Sequence, residues 1–212
     1  MRDIVGQFIL LEKELDDNKQ IVKEKFEVTN QPADLSQLVI QRQLKRIEPT
    51  VLDFYEIANG IEVKWEAADA ELRGLDMTGR IKIDAFRQVV KDWSGVVFFD
   101  RDPADSPRRK FFPLDFFADE AAVGFSTMEG MRSMMYLYKF EGDLIPLYVS
   151  FESYLLLLLQ TRGCYYWQNL ILEILEGQEN EMSGRIKQYL PRLFPDFSFD
   201  TFKKLFNEIR IN

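Results

Sequence analysis

The chain has 212 residues, 46% of them hydrophobic and 29% charged, with a formal net charge of −8; that is ample apolar material for one domain's core and too much for whole-chain disorder. Histidine is absent and Cys164 is the sole cysteine, which excludes His-based triads, His metal ligands, an internal disulfide and a Cys-rich zinc site. The acidic balance disfavours nucleic acid, whose phosphates require Lys and Arg. The most apolar run, Tyr154–Leu159, falls short of a bilayer span, and the opening MRDIVGQFILLEKELDD has acids too early for a signal peptide, so the expectation is a cytoplasmic chain outside any membrane.

From the N-terminus, Ile4, Phe8, Leu11 and Leu15 follow helical spacing, and the pattern predicts a helix over Ile4–Phe26. Asn30-Gln31-Pro32 is a break, after which Asp34 is a candidate N-cap for a helix over Leu35–Ile47. Thr50, with Asp53 at the third helical position, would cap Val51–Ala58, directing Leu52, Tyr55 and Ile57 inward. Asn59-Gly60 is a helix stop, and Ile61, Val63 and Trp65 then alternate with Glu62, Lys64 and Glu66 as a half-buried strand. Ala67–Gly79 reads as a short helix and a loop, and Arg80–Ile83 as a short strand or helix start. Asp84 would cap a helix through Trp93, and Gly95–Phe99 has the look of a buried strand.

Asp100–Lys110 is a loop by composition, with two prolines and no periodicity. Phe111–Phe117 and Ala121–Ser126 read as strand or turn segments, and Met134–Lys139 with Leu144–Val149 as a hairpin whose Pro146 marks an edge. Ser150 would cap a helix over Phe151–Gln160, Gly163 breaks it, and a helix resumes over Tyr165–Leu175 until Gly177. Two further helices are expected at Glu179–Leu190 and Phe199–Ile209, separated by Pro191 and Pro195, with Ser198 or Asp200 capping the last.

No catalytic constellation emerges. In Asp100-Arg-Asp102-Pro-Ala-Asp105 the sixth and twelfth positions are Asp105 and Phe111, where a calcium loop needs Gly and Glu. Carboxylate pairs such as Glu66/Asp69 and Asp115/Asp119 are expected by chance among 35 acids, Cys164 has no histidine to activate it, and the glycines form no phosphate-binding loop. The reading is therefore of a protein without catalytic residues, metal or cofactor. Trp65, Tyr165, Tyr166 and Trp167 are either core or interface anchors.

Charge is uneven: Leu52–Asp76 holds seven acids and two bases, whereas the segment from Asn180 onward holds six bases and four acids. Acidity serves solubility by itself, but it also suits a basic protein partner. On that second reading Glu56, Glu62, Glu66, Asp69, Glu71, Asp100, Asp102 and Asp105 are the candidate partner-binding residues.

Two segments carry a family resemblance. Leu52, Phe54, Tyr55, Asn59, Gly60 and Trp65 stand as a helix, an Asn-Gly pair and a strand with Trp, and Ser150-Phe151-Glu152-Ser153-Tyr154-Leu155 opens a helix after a hairpin. In this order and spacing they resemble the SMI1/KNR4 (SUKH) family, with Pro113-Leu114-Asp115 and Phe117-Ala118-Asp119 in place of its acidic turn. The resemblance covers Asp34–Gln168. It implies an α+β domain, a mostly antiparallel sheet packed against helices, within a single domain 1–212 that adds helical extensions at 1–30 and 177–212. It also implies a non-catalytic bacterial immunity protein that binds and neutralises a cognate toxin, often a nuclease. The alternative is a regulatory or scaffolding member that binds a cellular partner or a small ligand.

Overall fold

The computed structural model describes residues 1–36, 47–131, 134–140 and 142–211. Among these, eight helices and seven strands alternate as α1 (Arg2–Asp17), β1 (Ile21–Val28), α2 (Pro49–Tyr55), β2 (Ile61–Ala67), α3 (Ala70–Gly74), β3 (Thr78–Ile83), α4 (Phe86–Val89), β4 (Phe111–Asp115), β5 (Ala121–Ser126), β6 (Met135–Lys139), β7 (Leu144–Pro146), α5 (Phe151–Gln160), α6 (Gln168–Glu176), α7 (Glu181–Leu193) and α8 (Phe199–Ile209). The fold is α+β, as the sequence implied. The strands form one antiparallel sheet in chain order, β1 to β7.

One face of the sheet meets the helices. Ile61, Val63 and Trp65 of β2, Ile81 and Ile83 of β3, and Val123, Phe125 and Leu137 of β5 and β6 share a core with Phe8, Phe54, Tyr154, Leu158, Ile186 and Phe206 from the helices. Each such fully buried side chain contributes about 1.5–3 kcal/mol relative to exposure. The other face is divided. Over β4–β6 it is covered by the segment leading to β4, where Trp93 and Val97 pack on Phe111, Tyr136 and Tyr138 and Tyr138 Oη donates to the Val97 carbonyl (3.0 Å). Over β1–β3 it is open.

The sheet narrows at its middle. β3 pairs with β4 only at Ile83 and Asp115, and the upper half of β3 turns instead to the α5–α6 connection. There Gly79 bridges Cys164, and the Arg80 and Tyr165 amides donate to the Gly163 and Thr78 carbonyls (2.9 and 2.8 Å). Trp65, opposite Gly79, lies where a Cβ at Gly79 would stand, 2.1 Å from its indole ring, so the close approach requires glycine.

Several expected elements differ. The N-terminal helix ends at Asp17, and Ile21–Val28 is an edge strand. A bulge between Lys23 and Lys25 breaks its alternation, and Val22 and Phe26, four apart, mimic a helical face. The helix expected at Leu35–Ile47 falls largely outside the described residues; Asp34 Oδ1 accepts from the Ser36 amide (3.0 Å). Glu48, not Thr50, caps α2, accepting from the Val51 amide (3.2 Å). α2 has already ended at Tyr55, so Asn59-Gly60 is a turn into β2, with Gly60 at φ 122°. Asp84 caps nothing, because Asn59 Oδ1 accepts from the Phe86 amide (2.9 Å) and α4 is a single turn. Gly95–Phe99 is a turn that closes on itself through the Gly95 amide and the Phe98 carbonyl (2.8 Å). α6 begins at Gln168 because the preceding residues pair with β3, and α7 carries Pro191 inside its last turn. The expected bounds of α5 and α8 coincide with the observed ones, and Ser150 and Ser198 are their caps.

Candidate partner-binding face

Alternation along β2 and β3 sends apolar residues to the core and charged or polar ones to the open face. Glu62, Lys64 and Glu66 project from β2, Thr78, Arg80 and Lys82 from β3 opposite them, and Glu24, Lys25 and Glu27 from β1. Ion pairs knit the surface: across the strands Lys25 reaches Glu62 (2.5 Å) and Lys64 reaches Glu24 (2.5 Å), and along β1 Lys25 also reaches Glu27 (3.4 Å). The Glu62 hydrogen bond raises the Lys25 ammonium above its ordinary range. At the border, Arg73 reaches Glu66 (3.0 Å), Arg80 reaches Asp119 (2.9 Å) and Lys82 lies over the Phe116 ring (5.9 Å). Such exposed pairs contribute little stability each.

A cavity of about 160 Å³ closes one end of this face, floored by Gly60, Ile61 and Ile83 and rimmed by Glu27, Glu62, Lys82 and Asp84. Burial pushes the half-buried Asp84 carboxyl up, against the opposing pull of Lys82 and Lys91.

The eight candidate acids divide by role. Glu62 and Glu66 lie together on the open face. Asp69 is the N-cap of α3, accepting from the Glu71 and Leu72 amides (2.9 and 3.0 Å). Asp102, 9% exposed, accepts from the Phe99 amide (2.8 Å) and stands 3.5 Å from Arg108. Arg109 completes that loop, donating to the Phe99, Asp102 and Pro103 carbonyls at 2.8–3.2 Å. Glu56, Glu71, Asp100 and Asp105 are exposed and make no ion pair among the described residues. No hydrogen bond or ion pair among the described residues joins the Glu56–Glu71 group to the Asp100–Asp105 group.

The family-motif residues are structural in their placement. Leu52 is half-buried, Phe151 packs edge-on to Phe54 (5.6 Å), and Tyr55 Oη donates to the Asp84 carbonyl (2.6 Å). Trp65 Nε1 donates to the Arg162 carbonyl (2.8 Å). Tyr154 Oη donates to Asp115 (2.6 Å). Of the four singled-out aromatics, Trp65 and Trp167 are core and Tyr165 and Tyr166 are half-buried.

Sequence reasoning missed what Asp115 does. It is wholly buried, with the Lys82 amide donating to one oxygen (2.8 Å) and Tyr154 to the other. Burial raises its carboxyl to about 6, opposed by those two hydrogen bonds. Gln168 Nε2 donates onward to Tyr154 Oη (3.3 Å), leaving Gln168 Oε1 without a partner among the described residues. An acid between apolar neighbours, Leu114 and Phe116, was the available signal. Burial likewise pushes the Cys164 thiol up to about 12, which keeps it protonated and inert.

Among the described residues no cluster of three or more metal-ligating side chains forms, and no helix is long and apolar enough to cross a membrane. Comparison with family models, with characterised proteins and with solved structures found no match in any of the three.

Proposed function

We propose that the chain is a non-catalytic binding protein of the SMI1/KNR4 type, an immunity protein that occupies and neutralises a basic cognate toxin in the cytoplasm. The observation that carries the reading is the uncovered charged face of β1–β3, in a sheet whose other surfaces are packed. Its ion pairs are between exposed groups, and the exposed Glu56 and Glu71 make no ion pair among the described residues. A nuclease site is basic because it handles phosphate, and such a site is blocked by carboxylates offered on a rigid strand surface. The residue pattern shared with the SMI1/KNR4 family supports the toxin as the partner class.

The test is recovery of the tagged chain from its native cell together with the products of neighbouring genes. One basic protein, lethal when expressed without this chain, is the expected co-purifying species. A non-toxic cellular partner overturns the immunity reading in favour of a scaffold.

A further inference from the structure

A second cavity, of about 320 Å³, lies at the end of β5 and β6 and has no part in the open face. Glu120 stands before β5, Lys139 at the end of β6 with Phe140 just after it, Tyr166 just before α6 with Asn169 in its first turn, and Met182 in the first turn of α7; together these six line it. Tyr166 is held at φ 58°, a left-handed conformation that strains a non-glycine residue and persists only where its surroundings over-determine it. Here Phe117 and Tyr165 clamp the ring edge-on (5.4 and 4.6 Å), and its hydroxyl donates to the Glu120 carboxylate. The outcome is a fixed aromatic wall where glycine would have met the backbone requirement alone.

Asn169 supplies the second, independent sign. It is only 7% exposed, and its Nδ2 donates to the Tyr166 carbonyl (2.9 Å). That bond engages Nδ2, and Oδ1 of this cavity-lining residue has no hydrogen-bond partner among the described residues. Lys139 makes no ion pair among the described residues, whereas the Glu120 carboxylate is already engaged by Tyr166. The lining therefore offers three apolar surfaces (Phe140, Met182 and the Tyr166 ring), the Asn169 amide, one cation, Lys139, and one carboxylate, Glu120, that is tied to the Tyr166 hydroxyl.

The geometry points to a site for a small planar aromatic carboxylate. The ring would lie among Phe140, Met182 and Tyr166, a ring N–H or O–H would donate to Asn169 Oδ1, and the carboxylate would face Lys139. The volume is at the lower end for small-molecule sites, which suits one fused ring with a short acid arm. The site does not depend on the toxin reading.

Indole-3-acetate is a suitable probe, titrated into the full chain and followed by amide NMR. Saturable shifts at Phe140, Tyr166, Asn169 and Met182 are expected, with a Kd on the order of 0.1–1 mM. Lys139→Glu, at an exposed position, should weaken binding about tenfold while the rest of the spectrum is unchanged, and 3-methylindole, without the acid, should bind about tenfold more weakly than indole-3-acetate. Met182→Trp should fill the cavity and abolish the shifts. Absence of saturable shifts up to about 10 mM overturns the proposal, as do shifts that survive both substitutions undiminished.

Discussion

Asp115 is a carboxylic acid with no route to water, and its protonation is coupled to folding. Burial pushes its carboxyl up to about 6 in the folded chain against about 4 for a free aspartate, so between those values the folded state holds a proton that the unfolded state has released. Stability therefore falls as pH rises from about 4 to 6, by about 3 kcal/mol, and stays at the lower value above that window. Neighbouring Asp84, also raised, opposes a second charge at this place, and Arg80 favours it. Asp115→Asn should remove this slope and hold or raise stability at pH 7. The new amide oxygen still accepts from Lys82 and its NH₂ donates to Tyr154, whose hydroxyl is then free to donate to Gln168 Oε1 once that side-chain amide turns over. Urea unfolding of both proteins at pH 4.5 and 7 measures the difference, and an unchanged pH dependence in the variant would refute the assignment. The network eluded the sequence because its members, at 115, 154 and 168, share no local spacing and meet only when β4 and α5 pack.

Arg162 plays the corresponding part between elements. Its guanidinium donates to Glu14 of α1 (2.8 Å), to Asp196 between α7 and α8 (2.5 Å) and to the Gln160 carbonyl (2.7 Å), and it lies over the Phe194 ring (5.1 Å). The same residue, at φ 53°, presents its carbonyl to Trp65, so one side chain and its backbone tie β2 and both terminal segments to α5. Removing a buried partner ordinarily costs 3–5 kcal/mol, but Glu14 and Asp196 are partly exposed and regain water. Arg162→Ala should therefore cost about 2 kcal/mol and speed hydrogen exchange in α1 and around Asp196 before the β5–β6 pair is affected; equal exchange in all three would contradict the clamp. Nothing near Arg162 in the chain announces this, whereas elements built from local signals were legible. α5 and α8 combine an apolar stripe with a Ser cap, and β2 alternates cleanly. β1 was misread because its bulge hides the alternation, and Gly95–Phe99 because an apolar run that satisfies its backbone locally resembles one that pairs in a sheet.

Across the whole molecule, the distribution of charge matters more than its sum of −8. On the open face the outward side chains balance, with Glu24, Glu27, Glu62 and Glu66 against Lys25, Lys64, Arg80 and Lys82, and most are joined in pairs. On the proposed reading, long-range attraction for a basic partner would come from acids that hold no ion pair among the described residues, Glu56, Asp84 and Glu71, while the paired centre of the face would supply short-range pairing once contact is made. These two contributions separate kinetically: long-range charges govern the association rate and its salt dependence, whereas desolvated central pairs govern dissociation. With the partner in hand, Glu56→Lys/Glu71→Lys should slow association about tenfold at low salt and flatten its dependence on ionic strength. Glu62→Lys/Glu66→Lys should instead leave association within a few-fold and speed dissociation, since it sets like charges beside Lys25 and Arg73 in the contact itself. Stopped-flow or surface-based kinetics over a salt series measures both. If the two double variants behave alike, or if neither alters the kinetics, the partner docks elsewhere and the open face of β1–β3 is only a solvated surface.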